Sequence, residues 1–213
     1  MRRCRAWSVG VALFTLSAAG TLADASDDTV SAVSAQVEQV LLAPDGRQTA
    51  LTTFTVLLAD GRARVEVESP PGRSGYAEYQ VYDFGRKRLY RVFPDDRIYF
   101  EEKLPAALAS KAYVEGWAPR PEDLTVRTIV LKDDPIEGSP ARLALVERRR
   151  GRGRAPDYAL VWATVPPGAL PLRVVYVQES GHTVVLVYRR VETRLVNPSS
   201  VAVPDAFVNL SPF

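Results

Sequence analysis

The sequence predicts a mainly β protein, with an antiparallel sheet built from consecutive hairpins. Three observations predict this fold. Between residues 62 and 68, Arg and Glu alternate with Ala and Val, the period-two pattern of a strand with one wet face and one dry face. Turn sequences recur at short intervals, at Asp60-Gly61, Asp83-Phe84-Gly85 and Pro94-Asp95-Asp96. The last third of the chain repeats both features.

The first half of the chain carries six predicted strands. Asp-Gly pairs favour positive backbone dihedral angles, so Pro44-Asp45-Gly46 and Asp60-Gly61 are expected to form tight hairpin turns. Residues 26–33 are small and polar, and we expect them to form a frayed, irregular segment before the first strand. The strands are predicted over 35–42, 52–58, 62–68, 78–82, 88–93 and 97–102.

The second half begins with a predicted helix and continues with strands. Residues 103–116 are rich in alanine and leucine, and Pro105 lies near the first turn, where its missing N–H costs little. We expect this segment to cover the open side of the sheet as a lid. The last two strands are apolar on both faces, so both faces need a cover. The strands are predicted over 125–131, 141–147, 158–164, 172–178 and 183–193.

Residues 1–25 have the features of a cleaved secretory signal peptide. Three arginines precede an apolar run over 6–20, and Ala23-Asp24-Ala25 offers small residues to a signal peptidase. The run is shorter than the roughly 20 residues of a membrane-spanning helix. We predict cleavage after Ala25, a periplasmic location and a single domain over 26–213. A short uncleaved anchor is the alternative.

The predicted mature chain is close to neutral. Cleavage removes three arginines and one aspartate from 27 basic and 25 acidic residues, which leaves 24 of each. A neutral exported chain is not expected to bind nucleic acid. Cleavage also removes Cys4, the single cysteine, so the fold must be stabilised by its core without a disulfide.

Two parts of the chain carry a recognisable pattern of strands. The first is the meander Tyr79-Gln80-Val81-Tyr82-Asp83, Lys87-Arg88-Leu89-Tyr90-Arg91-Val92 and Arg97-Ile98-Tyr99-Phe100. The second is Leu170-Pro171-Leu172-Arg173-Val174 with Val203-Pro204-Asp205-Ala206-Phe207 near the end of the chain. In these segments the chain resembles the LolA/LolB-like superfamily, which includes periplasmic lipoprotein carriers and the outer-membrane lipoprotein receptor.

The resemblance covers most of residues 34–207 and implies a fold and a role. The implied fold is a curved antiparallel sheet, an incomplete β-barrel of about eleven strands with one or two short helices on its concave side. The implied role is the binding of lipid or of lipoprotein acyl chains. The chain has less helix than the carriers, and no functional residue of the family is transferred to it.

Apolar and aromatic residues on the predicted strands are candidates for the lining of an apolar cavity. Ordinary core packing and cross-strand aromatic pairing explain the same residues and remain the alternative. The candidates are Phe54, Val56, Val65, Val67, Tyr79, Tyr82, Tyr90, Trp162, Tyr176 and Leu186.

A dense basic segment lies between two predicted strands. Two glycines among its arginines predict a flexible hairpin loop, which is either a solvated tip or a contact with an anionic membrane surface. Its arginines are Arg148, Arg149, Arg150, Arg152 and Arg154.

The residue types that usually perform catalysis are scarce. His182 is the only histidine, and it lies in a predicted turn beside Gly181. The mature chain has no cysteine and no Gly-x-Ser-x-Gly elbow, so no metal site, cofactor or triad is predicted. Glu101 and Glu102 are adjacent on a strand and point to opposite faces. An enzyme acting on envelope carbohydrate or lipid is the least favoured class.

We therefore expect a monomeric, non-catalytic protein that binds an apolar ligand in the concavity of a half-barrel. The alternative is an envelope interaction or sensor protein that uses the same scaffold with a filled core. Its partner would then be another envelope protein.

Overall fold

The computed structural model describes residues 29–67, 78–151, 155–165 and 170–212. The predicted mainly β class is confirmed, because these residues form one open, strongly curved sheet with one α-helix. The strands are β1 (Val30–Leu42), β2 (Gln48–Ala59), β3 (Arg62–Val67), β4 (Tyr79–Asp83), β5 (Arg88–Phe93), β6 (Ile98–Lys103), β7 (Leu124–Asp133), β8 (Ala141–Arg150), β9 (Asp157–Thr164), β10 (Arg173–Val177), β11 (Thr183–Val196) and β12 (Val208–Asn209). Helix α1 is Ala106–Val114, and a 3₁₀ turn covers Pro198–Val201.

Two meanders meet at the first strand. The strand order is β12-β6-β5-β4-β3-β2-β1-β11-β10-β9-β8-β7, and the pairs are antiparallel except for β12 with β6. β1 pairs with β2 on one side and with β11 on the other, which joins the N-terminal and C-terminal meanders into a single sheet. Strand β7 forms one edge of the sheet.

The sheet wraps around the segment at 110–117. Ser110 contacts Arg148 of β8, and the ring of Trp117 lies 6.3 Å from that of Tyr82 on β4. Seven inter-strand spacings separate β8 from β4, which is about 34 Å in a flat sheet. A helical segment of this length spans only about 10 Å. The face that carries α1 is therefore the concave face, and the opposite face is called the outer face below.

The C-terminal segment covers part of the outer face. Val201 of the 3₁₀ turn is fully buried in a small core with Ala32, Leu57 and Ala59. Farther along, Val203 and Phe207 pack on a second small core from β4 and β5. The sequence predicted neither this cover nor β12.

Some element boundaries differ from prediction. β1 begins at Val30, so residues 30–33 extend a strand where a frayed segment was expected. The helix is shorter than predicted and begins after Pro105. The turn at Asp60-Gly61 is as expected, because both residues have positive φ, 49° and 67°. None of the helices within the described ranges is long and apolar enough to cross a membrane.

Candidate functional site

Helix α1 lies across the concave face, with its first part against β8 and its end over β10 and β11. Pro105, in an extended conformation, precedes its first residue, and Gly116 follows its end with φ 78°. Ala112, Tyr113 and Val114 are buried against the sheet. A proline start and a glycine after the last turn are common helix boundaries.

The floor beneath α1 is apolar and continuous. A single core cluster joins Tyr113 and Val114 of the helix to residues of β1, β2, β3, β7, β8, β9, β10 and β11. Trp117, just after the helix, packs edge-on against Phe54 at 5.8 Å between ring centroids. These side chains occupy the centre of the concavity in this conformation. The floor residues on the sheet are Ala35, Val37, Phe54, Val56, Ala63, Leu124, Val146, Ala159, Val174, Tyr176, Val184, Leu186 and Tyr188.

A buried glutamate at the end of α1 is hydrogen-bonded by two tyrosines of the sheet. Glu115 is 1% exposed. The hydroxyl of Tyr176 donates to Glu115 Oε1 at 2.9 Å, and the hydroxyl of Tyr188 donates to the Glu115 carbonyl oxygen at 2.7 Å. Lys111 Nζ lies 3.6 Å from Oε1. Glu115 Oε2 has no hydrogen-bond partner within the described residues.

Two arginines of β8 bind the carbonyl oxygens of α1. Arg148 Nη1 donates to the Ser110 carbonyl oxygen at 3.3 Å and lies 3.5 Å from Ser110 Oγ. Arg150 donates to the carbonyl oxygen of Ala106. Both side chains therefore contact the helix, in a segment that the sequence predicted to be a loop. β8 continues through Arg150.

The remaining arginines of the basic segment have other surroundings. Arg149 points away from the helix, is half exposed and pairs with Glu147 at 3.3 Å. Arg152 and Arg154 lie outside the described residues. The predicted contact of these five arginines with an anionic membrane stays a prediction for the part of the segment beyond β8.

Burial dominates the electrostatics of this polar cluster. Desolvation raises the pKa of the Glu115 carboxyl, while Lys111, Tyr176 and Arg148 oppose that increase. Desolvation also raises the pKa of Tyr176, to which the Glu115 charge adds. Burial and the charge on Glu115 raise the pKa of Tyr82 to about 12. Burial lowers the pKa of Arg148. Burying these ionisable groups therefore costs free energy of folding, and their hydrogen bonds fix the end of α1.

We expect the buried carboxyl to be visible in the pH dependence of stability. A group with a raised pKa in the folded protein contributes stability below its unfolded pKa and loses it as pH rises through the folded pKa. Glu115→Gln cannot ionise, so it should gain stability relative to the wild type as pH rises above 4.5, the ordinary value. The gain should approach about 1.4 kcal/mol per pH unit until the raised pKa is passed. Urea unfolding between pH 4 and pH 8 measures it, and a pH-independent difference would contradict it.

The ten apolar candidates divide between the two faces. Seven of them, Phe54, Val56, Val65, Val67, Tyr82, Tyr176 and Leu186, lie on the concave face by register, although Val67 is 57% exposed at its rim. Tyr79 and Tyr90 belong to the outer core under the C-terminal segment. Trp162 is also on the outer face, where its Nε1 donates to Asp134 Oδ2 at 2.7 Å. The ten residues therefore do not line one surface.

Three residues of this site, Glu115, Lys111 and Tyr188, were not among the candidates predicted from the sequence. One signal was available, because Glu115 stands between Val114 and Gly116 where the predicted helix ends. A carboxylate next to a buried helical residue needs a partner, and tyrosines on a strand that is apolar on both faces can supply one.

Outside the concave face, two depressions stand out. One, of about 280 Å³, is on the outer face and is lined by Thr55, Leu57, Arg64, Glu66, Arg194 and Ser200. The other, of about 180 Å³, borders the loop after β7 and is lined by Asp133, Pro135, Pro140, Ala141, Arg142 and Val165. No group of three or more His, Cys, Asp or Glu residues that could hold a metal occurs within the described ranges.

Comparisons with known proteins give only distant similarity. No protein-family model matches the chain, and no curated protein matches it significantly. The chain is similar to the solved structure of PNGF-II, with 9% identity over 85% of this chain and a TM-score of 0.44. It spans 31% of the PNGF-II chain. It is also similar to a DUF1329 family protein from Desulfovibrio piger, with 11% identity, a TM-score of 0.28 and coverage of 82% of this chain and 90% of that one. At these values neither likeness bears on function.

Proposed function

We propose that the protein binds an apolar ligand, lipid or the acyl chains of a lipoprotein, on its concave face, and that α1 is a displaceable lid. The observation that carries the proposal is how α1 is attached. Its apolar contacts are made by a few residues, and the sheet holds it by hydrogen bonds from Arg148, Arg150, Tyr176 and Tyr188.

The floor beneath α1 has the chemistry that an acyl chain needs. It is formed by aliphatic and aromatic side chains of six or more neighbouring strands, in a groove that the curvature of the sheet creates. Each methylene that leaves water contributes about 0.8 kcal/mol. About ten methylenes could therefore offset the loss of the few apolar and polar contacts that α1 makes. The same exchange returns Glu115 to water, which removes a desolvation cost.

A second candidate function is that of an envelope interaction protein with a permanently filled core. The observation that favours it is the packing of Tyr113 and Trp117 into the centre of the concavity. In this case α1 is a fixed part of the core, and the partner is another protein that binds the outside of the sheet.

Ligand binding and lid opening can be tested together. Protein purified without detergent should carry lipid that native mass spectrometry detects. If the lid must open before the ligand binds, the apparent affinity is the intrinsic affinity multiplied by the fraction of the protein that is open. Arg148→Met, which loosens α1, should therefore bind a fluorescent fatty acid more tightly than the wild type, by roughly tenfold for each 1.4 kcal/mol of docking energy removed.

The matched control is Arg149→Met on the same strand, where the side chain does not contact the helix. Its affinity should equal that of the wild type. Protein without lipid, together with no fatty-acid binding by the wild type or by Arg148→Met, would exclude the lid proposal and favour the filled core.

A further inference from the structure

A row of aliphatic side chains crosses the outer face over seven strands. Each residue of the row is the direct cross-strand partner of the next. Six inter-strand spacings make the row about 29 Å long. We call this row the outer band. It consists of Ile129, Leu145, Leu160, Val175, Val185, Val40 and Leu51.

No member of the outer band is buried, since Leu51 is exposed and the other six are half-buried. None of its members belongs to the three core clusters, although residues on the concave side of the same strands do. The C-terminal segment covers the outer face elsewhere, from the start of β1 to β6. Leu51 is 60% exposed, and Val177, which follows Val175 on the same face, is 62% exposed. Single exposed aliphatic residues are ordinary, but a continuous row marks an interaction surface.

Beside the outer band, the charged side chains that have no close ion-pair partner are arginines. On the two flanking rows, Glu38 and Glu147 are each in an ion pair with an arginine. Arg127 and Arg173 have no ion-pair partner within 4 Å among the described residues, although the charge of Arg173 acts at longer range on the Asp134 carboxylate. The Arg173 guanidinium lies 5.7 Å from the centroid of the Trp162 ring. An aliphatic strip beside unpaired arginines and an amphipathic indole matches the chemistry of an anionic membrane surface.

The shape of the sheet favours a deformable partner. The outer face is convex, so a second copy would meet it with the same convex curvature and touch along a narrow line. We propose that the outer band docks the protein on an anionic lipid bilayer, with aliphatic side chains at the acyl boundary and Arg127 and Arg173 at the phosphates. This contact is independent of the concave face and of the lid.

Two tryptophans on opposite faces allow a direct test. The form that begins at Ser26 retains all described contacts and lacks Trp7, so Trp117→Phe leaves Trp162 as the sole reporter and Trp162→Phe leaves Trp117. Vesicles of phosphatidylglycerol and phosphatidylethanolamine with brominated acyl chains should quench Trp162 at least threefold more strongly than Trp117. Vesicles of phosphatidylcholine should quench it less. Strong quenching of Trp117 alone would support acyl chains on the concave face and overturn the outer-band proposal.

Negative charge placed on the outer band, or directly beside it at Val177, should weaken docking without affecting the core. Leu51→Glu and Val177→Glu change exposed residues and should each lower partitioning to the anionic vesicles about tenfold. Leu195→Glu is the matched control, because Leu195 is 71% exposed and lies on the other face by register. It should change partitioning less than twofold. Equal effects of the three variants, absence of vesicle binding, or self-association through the band without vesicle binding would each overturn the proposal.

Discussion

Leu186→Ala is expected to lower the free energy of unfolding by about 2–5 kcal/mol, since it removes a large buried side chain and leaves a cavity. Leu186 has no exposed surface and lies at the centre of the sheet, paired with Val174 on β10 and Gln39 on β1. Its side chain belongs to the floor under α1. Urea unfolding followed by circular dichroism measures the change.

The control is Leu195→Ala on the same strand. Leu195 is 71% exposed, so the same substitution there should change the free energy of unfolding by less than about 0.5 kcal/mol. Comparable losses from the two variants would show that Leu186 is not held in a close-packed core beneath α1.

Arg148→Met is expected to weaken the docking of α1 by about 1.5–3 kcal/mol, the range for hydrogen bonds that involve a charged group. The methionine keeps the apolar stem and removes the donors to Ser110. Amides of α1 should then exchange with solvent roughly 10- to 100-fold faster, because each 1.4 kcal/mol is a factor of ten. Hydrogen exchange read out by mass spectrometry measures this change in the 105–117 segment.

Arg149→Met again provides the control, since Arg149 is exposed and its ion pair with Glu147 contributes at most about 1 kcal/mol. Exchange in α1 should not change in this variant. Unchanged protection of α1 in Arg148→Met would mean that the arginines of β8 do not hold the lid.

The strands were predictable because local patterns determine them. Alternation of apolar and charged residues identified β3, and Asp60-Gly61 identified the turn before it. Both signals act over a few residues, where steric preferences of the backbone decide the conformation. The extension of β1 back to Val30 was missed because its pairing partner, Val196 of β11, is distant in sequence.

The faces of the strands were harder to assign. Tyr79 and Tyr82 alternate on β4, so one lies under the C-terminal segment and the other faces Trp117. Periodicity separates two faces but does not say which one is concave. That depends on where α1 and the C-terminal segment pack, which are long-range contacts.

The polar attachment of α1 was hidden for a similar reason. Arg148 alternates with Arg149 in a run of charge that is typical of a solvated loop, yet β8 continues through it and turns Arg148 toward the helix. The apolar surfaces of β10 and β11 did predict a cover on both faces. The structure supplies α1 on the concave side and leaves the outer band open.

The most direct test of the account is hydrogen exchange of the wild-type protein with and without palmitate. We predict that bound palmitate accelerates exchange of the α1 amides at least tenfold while amides of β1 and β11 keep their protection. Palmitate that binds with the protection of α1 unchanged would contradict the displacement of a lid from the concave face.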